Sequence, residues 1–210
     1  MQPLHTRVVG SRILVFDSVD STSTRALNSG SDGTVVVAEH QTEGRGRHGR
    51  PWHSEPGLGL WFSVAFRGNV DGLEFAAPLA VRDGLRCICT PHIKWPNDLM
   101  VDGHKVAGLL LEGGNRRGTG FVVAGMGVNI VSHPQGTNHP AGHLLADGYR
   151  VDRDGLFAAL SDAVCVRLAQ WARGDGFAAI RADWLKTGYG IGGPIRVVTL
   201  TDDFQGRFVD

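Results

Sequence analysis

Residues 94–130 read KWPNDLMVDGHKVAGLLLEGGNRRGTGFVVAGMGVNI, two turn signals set among apolar runs. Asp102-Gly103 stands between LMV and HKVAGLLLE as a two-residue hairpin signal, because both residue types accept the left-handed backbone such turns need. A Gly-rich turn, GGNRRG, then leads into the apolar run 121–130. Successive strands with no room for crossover helices make this part of the sheet antiparallel. The fold class is therefore α+β, and Lys105 falls on a strand beside a tight turn.

Upstream, residues 13–16 are strand-like, and Asp20, Ser21 or Thr22 can cap a short helix running toward Asn28 and stopped by Gly30. TVVVAE, 34–39, reads as a buried strand, and 59–66 as another, with a long polar loop over 40–56 between them. Asp71 and Glu74 have the spacing of a capping box for a helix carrying Phe75, Ala76, Leu79, Ala80 and Leu85 and ending before Pro91. Residues 92–95 are short and extended. Downstream, Leu156, Leu160, Val164, Leu168 and Trp171 mark one amphipathic helix, and Phe177, Ile180 and Trp184 a second. Both are expected to pack on the sheet. From Gly192 the pattern turns to IRVVTL and FQGRFVD, the start of a small β domain cut short, with a boundary near residues 188–194.

With 210 residues, 42% of them hydrophobic and 20% charged, the chain can build one main core with a small appendage. No apolar run approaches a membrane span. The first residues, MQPLHTRVVGSR, lack the apolar stretch of a secretory signal, so a cytoplasmic location is expected. Cys87, Cys89 and Cys165 form neither a disulfide framework nor a zinc spacing and read as reduced thiols. His133, His139 and His143 lie in a Pro- and Gly-rich loop without accompanying Cys or acidic ligands, so no metal residues are assigned. Basic and acidic residues number 21 each; the basic surplus of a DNA binder is missing, and positive charge concentrates at Arg45, Arg47 and Arg50.

Gly44, Gly46 and Gly49 satisfy G-x-G-x-x-G, but Arg50-Pro51-Trp52 follows where the dinucleotide fingerprint requires a helix. Alternating glycine and arginine instead combine close backbone approach with guanidinium forks for carboxylate and phosphate. Bringing two such anions together opposes about 4 kcal/mol for unit charges at 4 Å in an effective dielectric of 20. A reaction joining them needs concentrated positive charge, and Lys105, followed by the small residues Val-Ala-Gly, is a second source of it. Trp52, in a polar loop, is suited to stacking on a planar base.

GRGRHGRPW at 44–52, KWPNDL at 94–99 and KVAG at 105–108 resemble, in the same order, the signatures of the biotin protein ligases; Asp20-Ser21-Thr22 and GMGVNI at 125–130 match as well. The resemblance is strong over residues 16–130. It implies a class II synthetase-like fold, a mixed, largely antiparallel sheet flanked by helices over residues 1–188, with residues 189–210 opening an incomplete SH3-like β domain. It also implies that biotin and MgATP form biotinyl-5′-adenylate, whose acyl group passes to a lysine of the biotin carboxyl carrier domain of a carboxylase. On this resemblance Ser21, Thr22, Ser23, Gln41, Arg45, Gly46, Arg47 and Lys105 form the biotin side of the site. Ser23 stands where asparagine often follows the Ser-Thr pair, and His48 where a basic residue is frequent. Arg47, Arg50, Trp52, Asn97, Asp98, Lys105 and Asn129 serve the nucleotide, with Asp98 organising the site or its magnesium. Lys105 and Arg47 are the catalytic pair. The expected partner is the carrier domain alone, without DNA or membrane, and a homodimer is allowed. The nearest alternative is a lipoate or octanoate ligase of related fold. An oxidoreductase is opposed by Pro51, and a DNA-binding regulator by the 15 residues preceding the matching region, too few for that module.

Overall fold

The computed structural model describes residues 12–29, 31–116, 119–137, 139–199 and 201–209. The helix stop at Gly30, Arg117 and Gly118 of the GGNRRG stretch and the first eleven residues lie outside this range, while residues 113–116, expected in a turn, extend a strand. Seven strands form one sheet: β1 (Ile13–Val19), β2 (Val35–Gln41), β3 (Gly59–Arg67), β4 (His92–Lys94), β5 (Asp98–Val101), β6 (His104–Arg116) and β7 (Thr119–Asn129). Their order is β1-β2-β3-β7-β6-β5-β4, with β1 parallel to β2 and every other pair antiparallel. Asp102 (φ 48°) and Gly103 (φ 83°) make the expected tight turn, with Val101 facing His104 across it.

Register separates the sheet into two faces. Val35, Val37, Phe62, Val64, Leu109, Met126 and Val128 belong to the main core, under α2 (Leu73–Leu85) and α3 (Arg153–Trp171). Val36, Ala65 and Val123 lie on the other face with Ala26 of α1 (Thr22–Ser29). Strand β3, covered on both faces, is apolar from Gly59 to Phe66 except for Ser63, which is fully buried.

Two expectations about the helices are corrected. No side chain caps α2: its N-terminus is Gly72 at φ 77°, where a Cβ would stand 2.6 Å from the Phe177 ring. The Asp71 carbonyl instead accepts from Trp171 Nε1 at 2.7 Å, so this entry is built for close approach of other helices rather than for a capping box. Helix α4 (Phe177–Leu185) packs chiefly on α2 and α3 rather than on the sheet, while α3 reaches the sheet chiefly where Phe157 meets Phe62 edge to face at 5.6 Å. Gly84 permits the α2–α3 crossing, since a Cβ there would come within 2.7 Å of Leu160 Cα.

Arg167 fastens the three helices, donating from Nε to Asp83 Oδ2 at 2.6 Å and from Nη1 to Asp183 Oδ2 at 2.6 Å. The hydrogen bond from Arg167, with those from Gln170 and Lys186, holds the Asp183 carboxyl well below the usual carboxylate range. A depressed folded-state value stabilises the fold above the unfolded carboxylate pKa of about 4 and is lost as pH falls through the folded value. Asp183→Asn is therefore expected to lower the melting temperature at pH 7 and to narrow the difference between melting at pH 7 and pH 3. Thermal unfolding at the two pH values measures it; an undiminished difference would assign the acid sensitivity elsewhere.

After α4, Thr187 and Tyr189 pair with Ile93 at the β4 edge (Ile93 N to Thr187 O 3.0 Å, Tyr189 N to Ile93 O 2.7 Å). A separate two-stranded sheet follows, β8 (Pro194–Val198) with β9 (Asp203–Arg207), and Phe208 packs back on Trp184. No helix among the described residues is long and apolar enough to cross a membrane. Cys89 is buried among apolar neighbours, which push its thiol up to about 12.

Candidate active site

The site lies on the α1 face of the sheet, where backbone pairing aligns two rows that each contain glycine. One row runs Ala38–Trp61–Gly127–Gly108, the next Val36–Ser63–Gly125–Leu110. Glycine at 108 and 127 leaves a shelf for the Trp52 ring: a Cβ at Gly127 would stand 2.5 Å from Trp52 Cζ2, and one at Gly108 3.0 Å from Cζ3. Trp61 closes the shelf edge to face at 6.2 Å. Gly125 likewise makes room for Ser23, whose Oγ would be 2.5 Å from a Cβ there.

Lys105 Nζ sits 5.4 Å from the centre of the Trp52 ring and pairs with Asp98 Oδ1 at 2.6 Å. Its strand position beside the Asp102-Gly103 turn is what the sequence led one to expect. The segment after β7 holds this lysine's backbone on its other side: Lys105 N donates to Pro140 O at 2.9 Å, and Gly142 N to Lys105 O at 3.0 Å. Asn129 secures that segment, its Nδ2 donating to Gly142 O at 3.0 Å. Asn97 Nδ2 donates to Leu109 O at 2.6 Å, fixing the β4–β5 corner against β6.

The arginine loop is a compact hairpin. Trp52 N donates to Gly44 O at 2.8 Å and Gly46 N to Arg50 O at 2.7 Å, with a 3-10 turn at Arg47–Gly49 and His48 left-handed at its tip. Arg45 and Pro51 are paired between those bonds, which turns the Arg45 N–H and C=O away from the opposing strand. The three arginines differ in state. Arg47 and Arg50 are exposed and make no ion pair among the described residues. Arg45 is partly buried and donates from Nε to Glu112 Oε1 at 2.8 Å and from Nη1 to Thr24 Oγ1 at 3.0 Å.

On the opposite flank, Ser21, Thr22 and Ser23 are buried at the start of α1. Gln41 Oε1 accepts from Thr22 N at 2.8 Å and from Thr22 Oγ1 at 3.0 Å. Because the Thr22 proton goes to Gln41, Ser63 must donate in its 2.8 Å contact with Thr22, and Ser23 in its 3.1 Å contact with Ser63. Ser54 Oγ donates to Gln41 O at 3.2 Å and faces Gln41 Nε2 at 3.5 Å. Ser21 Oγ accepts from Thr24 N at 3.4 Å. What remains unspent is the Ser21 hydroxyl hydrogen and one Gln41 amide hydrogen.

Ser63, Ser54, Glu112 and the paired glycines went unassigned in the sequence. Ser63 had a signal, as the lone hydroxyl in the apolar run GLWFSVAF; Glu112 had a fainter one, ending HKVAGLLLE. His133 and His143 approach at 2.7 Å between Nδ1 atoms, and burial followed by His133 lowers the His143 pKa. Among the described residues no three His, Cys, Asp or Glu side chains gather as a metal site.

Residues 15–129 match the model of the biotin/lipoate A/B protein ligase family. The biotin--[acetyl-CoA-carboxylase] ligase of Paracoccus denitrificans is 36% identical over 90% of this chain and 86% of its own length. That of Mycobacterium tuberculosis is 34% identical over 86% and 70% respectively. The bifunctional ligase/repressor BirA of Bacillus subtilis is 31% identical over 97% of this chain and 68% of its own. Among solved structures, the biotin protein ligase from Aquifex aeolicus in complex with biotin and ATP superposes with a TM-score of 0.80 at 25% identity, covering 93% of this chain and 85% of that one. On the matched motifs, the shared sheet and the extent of these similarities, the chain belongs to the biotin/lipoate A/B protein ligase family.

Proposed function

We propose that this chain activates biotin with ATP and transfers it to a lysine of a biotin carboxyl carrier domain. The observation that carries the choice of acid is the donor count at the start of α1. Gln41 Oε1 is already saturated by Thr22, so the amide and Ser21 offer hydrogens, not lone pairs, to a ligand. A ureido carbonyl accepts two such bonds. A dithiolane ring accepts neither well, and each polar group stranded by it costs about 1–3 kcal/mol. That asymmetry favours biotin over lipoate.

In the first step a carboxylate oxygen of biotin attacks the α-phosphorus of ATP, forming the acyl phosphate bond as the bond to pyrophosphate breaks. Lys105 lowers the repulsion between the two anions, and exposed Arg47 is free to close on them. In the second step the uncharged amine of the carrier lysine attacks the acyl carbonyl and AMP leaves. Trp52 and Arg50 flank the nucleotide side, while Arg45 and Gly46 bring the loop backbone to biotin. Asp98 is committed to Lys105, so magnesium is expected to arrive on the triphosphate and keep phosphate and water ligands.

Residues 1–188 are read as the catalytic unit and 189–210 as belonging to a small SH3-like domain, which the separate β8–β9 sheet supports. Among the described residues Cys87, Cys89 and Cys165 form no disulfide, which fits the cytoplasm, and the balanced charge gives no basic surplus for DNA. A homodimer is compatible with this function.

The test is incubation with labelled ATP and either biotin or lipoate. Pyrophosphate and an acyl-adenylate are expected with biotin; adenylate with lipoate alone would transfer the assignment to the alternative ligase. Arg47→Gly is expected to release the adenylate while leaving biotin affinity within a few fold, because its charge acts on the mixed anhydride. Biotinylation of unrelated proteins mixed with the enzyme reads this, and unchanged selectivity would remove Arg47 from that role.

A further inference from the structure

The arginine loop carries three arginines, and an anion-binding role suggests itself for each; the contacts of Arg45 point elsewhere. Its Nε is 2.8 Å from Glu112 Oε1 on β6, and its Nη1 is 3.0 Å from Thr24 Oγ1 on α1. The pair is largely shielded, with side chains 34% and 20% exposed. An incoming carboxylate or phosphate would have to displace a carboxylate already in place, whereas Arg47 and Arg50 stand exposed two and five residues along.

We infer that Arg45, clamped by Glu112 and Thr24, is a positioning residue that locks the loop onto β6 and α1, and does not bind substrate through its guanidinium. This rests on the biotin-activating reading above. The three clamped segments each carry one part of the site. The loop holds Arg47 and Trp52, β6 carries Lys105 as its second residue, and α1 opens with Thr22 directly after Ser21. A single planar guanidinium, with its donors in a fixed fork, sets their relative position. Its backbone completes the device, since the Arg45 N–H and C=O point away from the opposing strand while the side chain anchors them. Glu112 Oε2 is buried and unpartnered among the described residues, so removing the arginine strands a carboxylate, whereas neutralising Glu112 does not.

That asymmetry makes Glu112→Gln the informative variant. If Arg45 held the substrate anion, releasing it from Glu112 would leave activation unchanged or improve it. With a clamp, Glu112→Gln lowers kcat for pyrophosphate release about tenfold and weakens biotin binding by less, because the Gln41–Thr22–Ser63 network is held independently of the loop backbone. Amide exchange across residues 44–52 accelerates in the same variant without any ligand. Arg45→Gln combined with Glu112→Gln should be no slower in turnover than Arg45→Gln alone, the signature of two residues acting as one unit. Wild-type kcat in Glu112→Gln together with unchanged exchange, or multiplicative losses in the double variant, would overturn the clamp. Failure of the wild-type chain to release pyrophosphate with biotin would instead overturn the biotin reading, leaving the ligand-free exchange comparison to judge the clamp on its own.

Discussion

Lys105→Met is expected to slow adenylate formation about a hundredfold or more, on the order of 3 kcal/mol of transition-state stabilisation. The lysine is held by Asp98 at 2.6 Å and lies over the Trp52 ring, so its charge is in place before substrates arrive. Such a preorganised cation costs little reorganisation as charge builds on the α-phosphate. Methionine keeps the apolar stem of the side chain and drops only its ammonium, and the neighbouring Val106 and Leu109 stay buried in the main core. The stability loss is therefore confined to Asp98, whose partner disappears. Combining Lys105→Met with Asp98→Asn restores that part and separates folding from rate. Pyrophosphate release at saturating biotin and ATP, with thermal unfolding alongside, makes the measurement. Turnover within a few fold of wild type in a folded variant would make the lysine structural.

Gly127→Ala should have the next largest effect, a loss of roughly tenfold to a hundredfold in turnover with ATP, through displacement of one ring. The new Cβ would stand 2.5 to 2.7 Å from Cζ2, Cε2 and Nε1 of Trp52. The backbone at 127 is ordinary strand, so alanine itself is unstrained, and the yielding partner is a side chain on a loop. Trp52 must leave its shelf, and Lys105 loses the ring face beneath it. The melting temperature is expected to move little because Trp52 is only partly buried. If the effect travels through the ring, Gly127→Ala adds nothing to Trp52→Ala in the double variant. Independent, multiplicative losses would mean that residue 127 acts by another route.

The same glycines show where sequence stops. GMGVNI and KVAG were recognisable as motifs, and Asp102-Gly103 placed Lys105 beside a turn. The strand succession over residues 94–130 established an antiparallel sheet, because turn chemistry and period-two burial are local properties. Nothing local says that Gly108 pairs with Gly127, or that Trp52 fills the space both leave. Pairing across β6 and β7 decides that. The helices followed the same division. Their apolar spacing located α3 and α4, but Gly72 and Gly84 admit neighbouring helices at distances a capping pattern does not encode, so α4 settles on α2 and α3.

By itself, then, the sequence determined the elements, the family resemblance and the residues that cluster around the arginine loop, since each rests on spacing along the chain. Only the tertiary structure decided the state of each charge. Arg45, Arg47 and Arg50 are equivalent letters in GRGRHGR, yet Glu112, 67 residues away, takes one of them and leaves two exposed. Likewise the direction of the Ser23–Ser63–Thr22–Gln41 chain follows from one backbone N–H occupying Gln41 Oε1. Hydrogen-bond and ion-pair partners are contacts between segments distant in sequence, and they exist only once the sheet has brought those segments together.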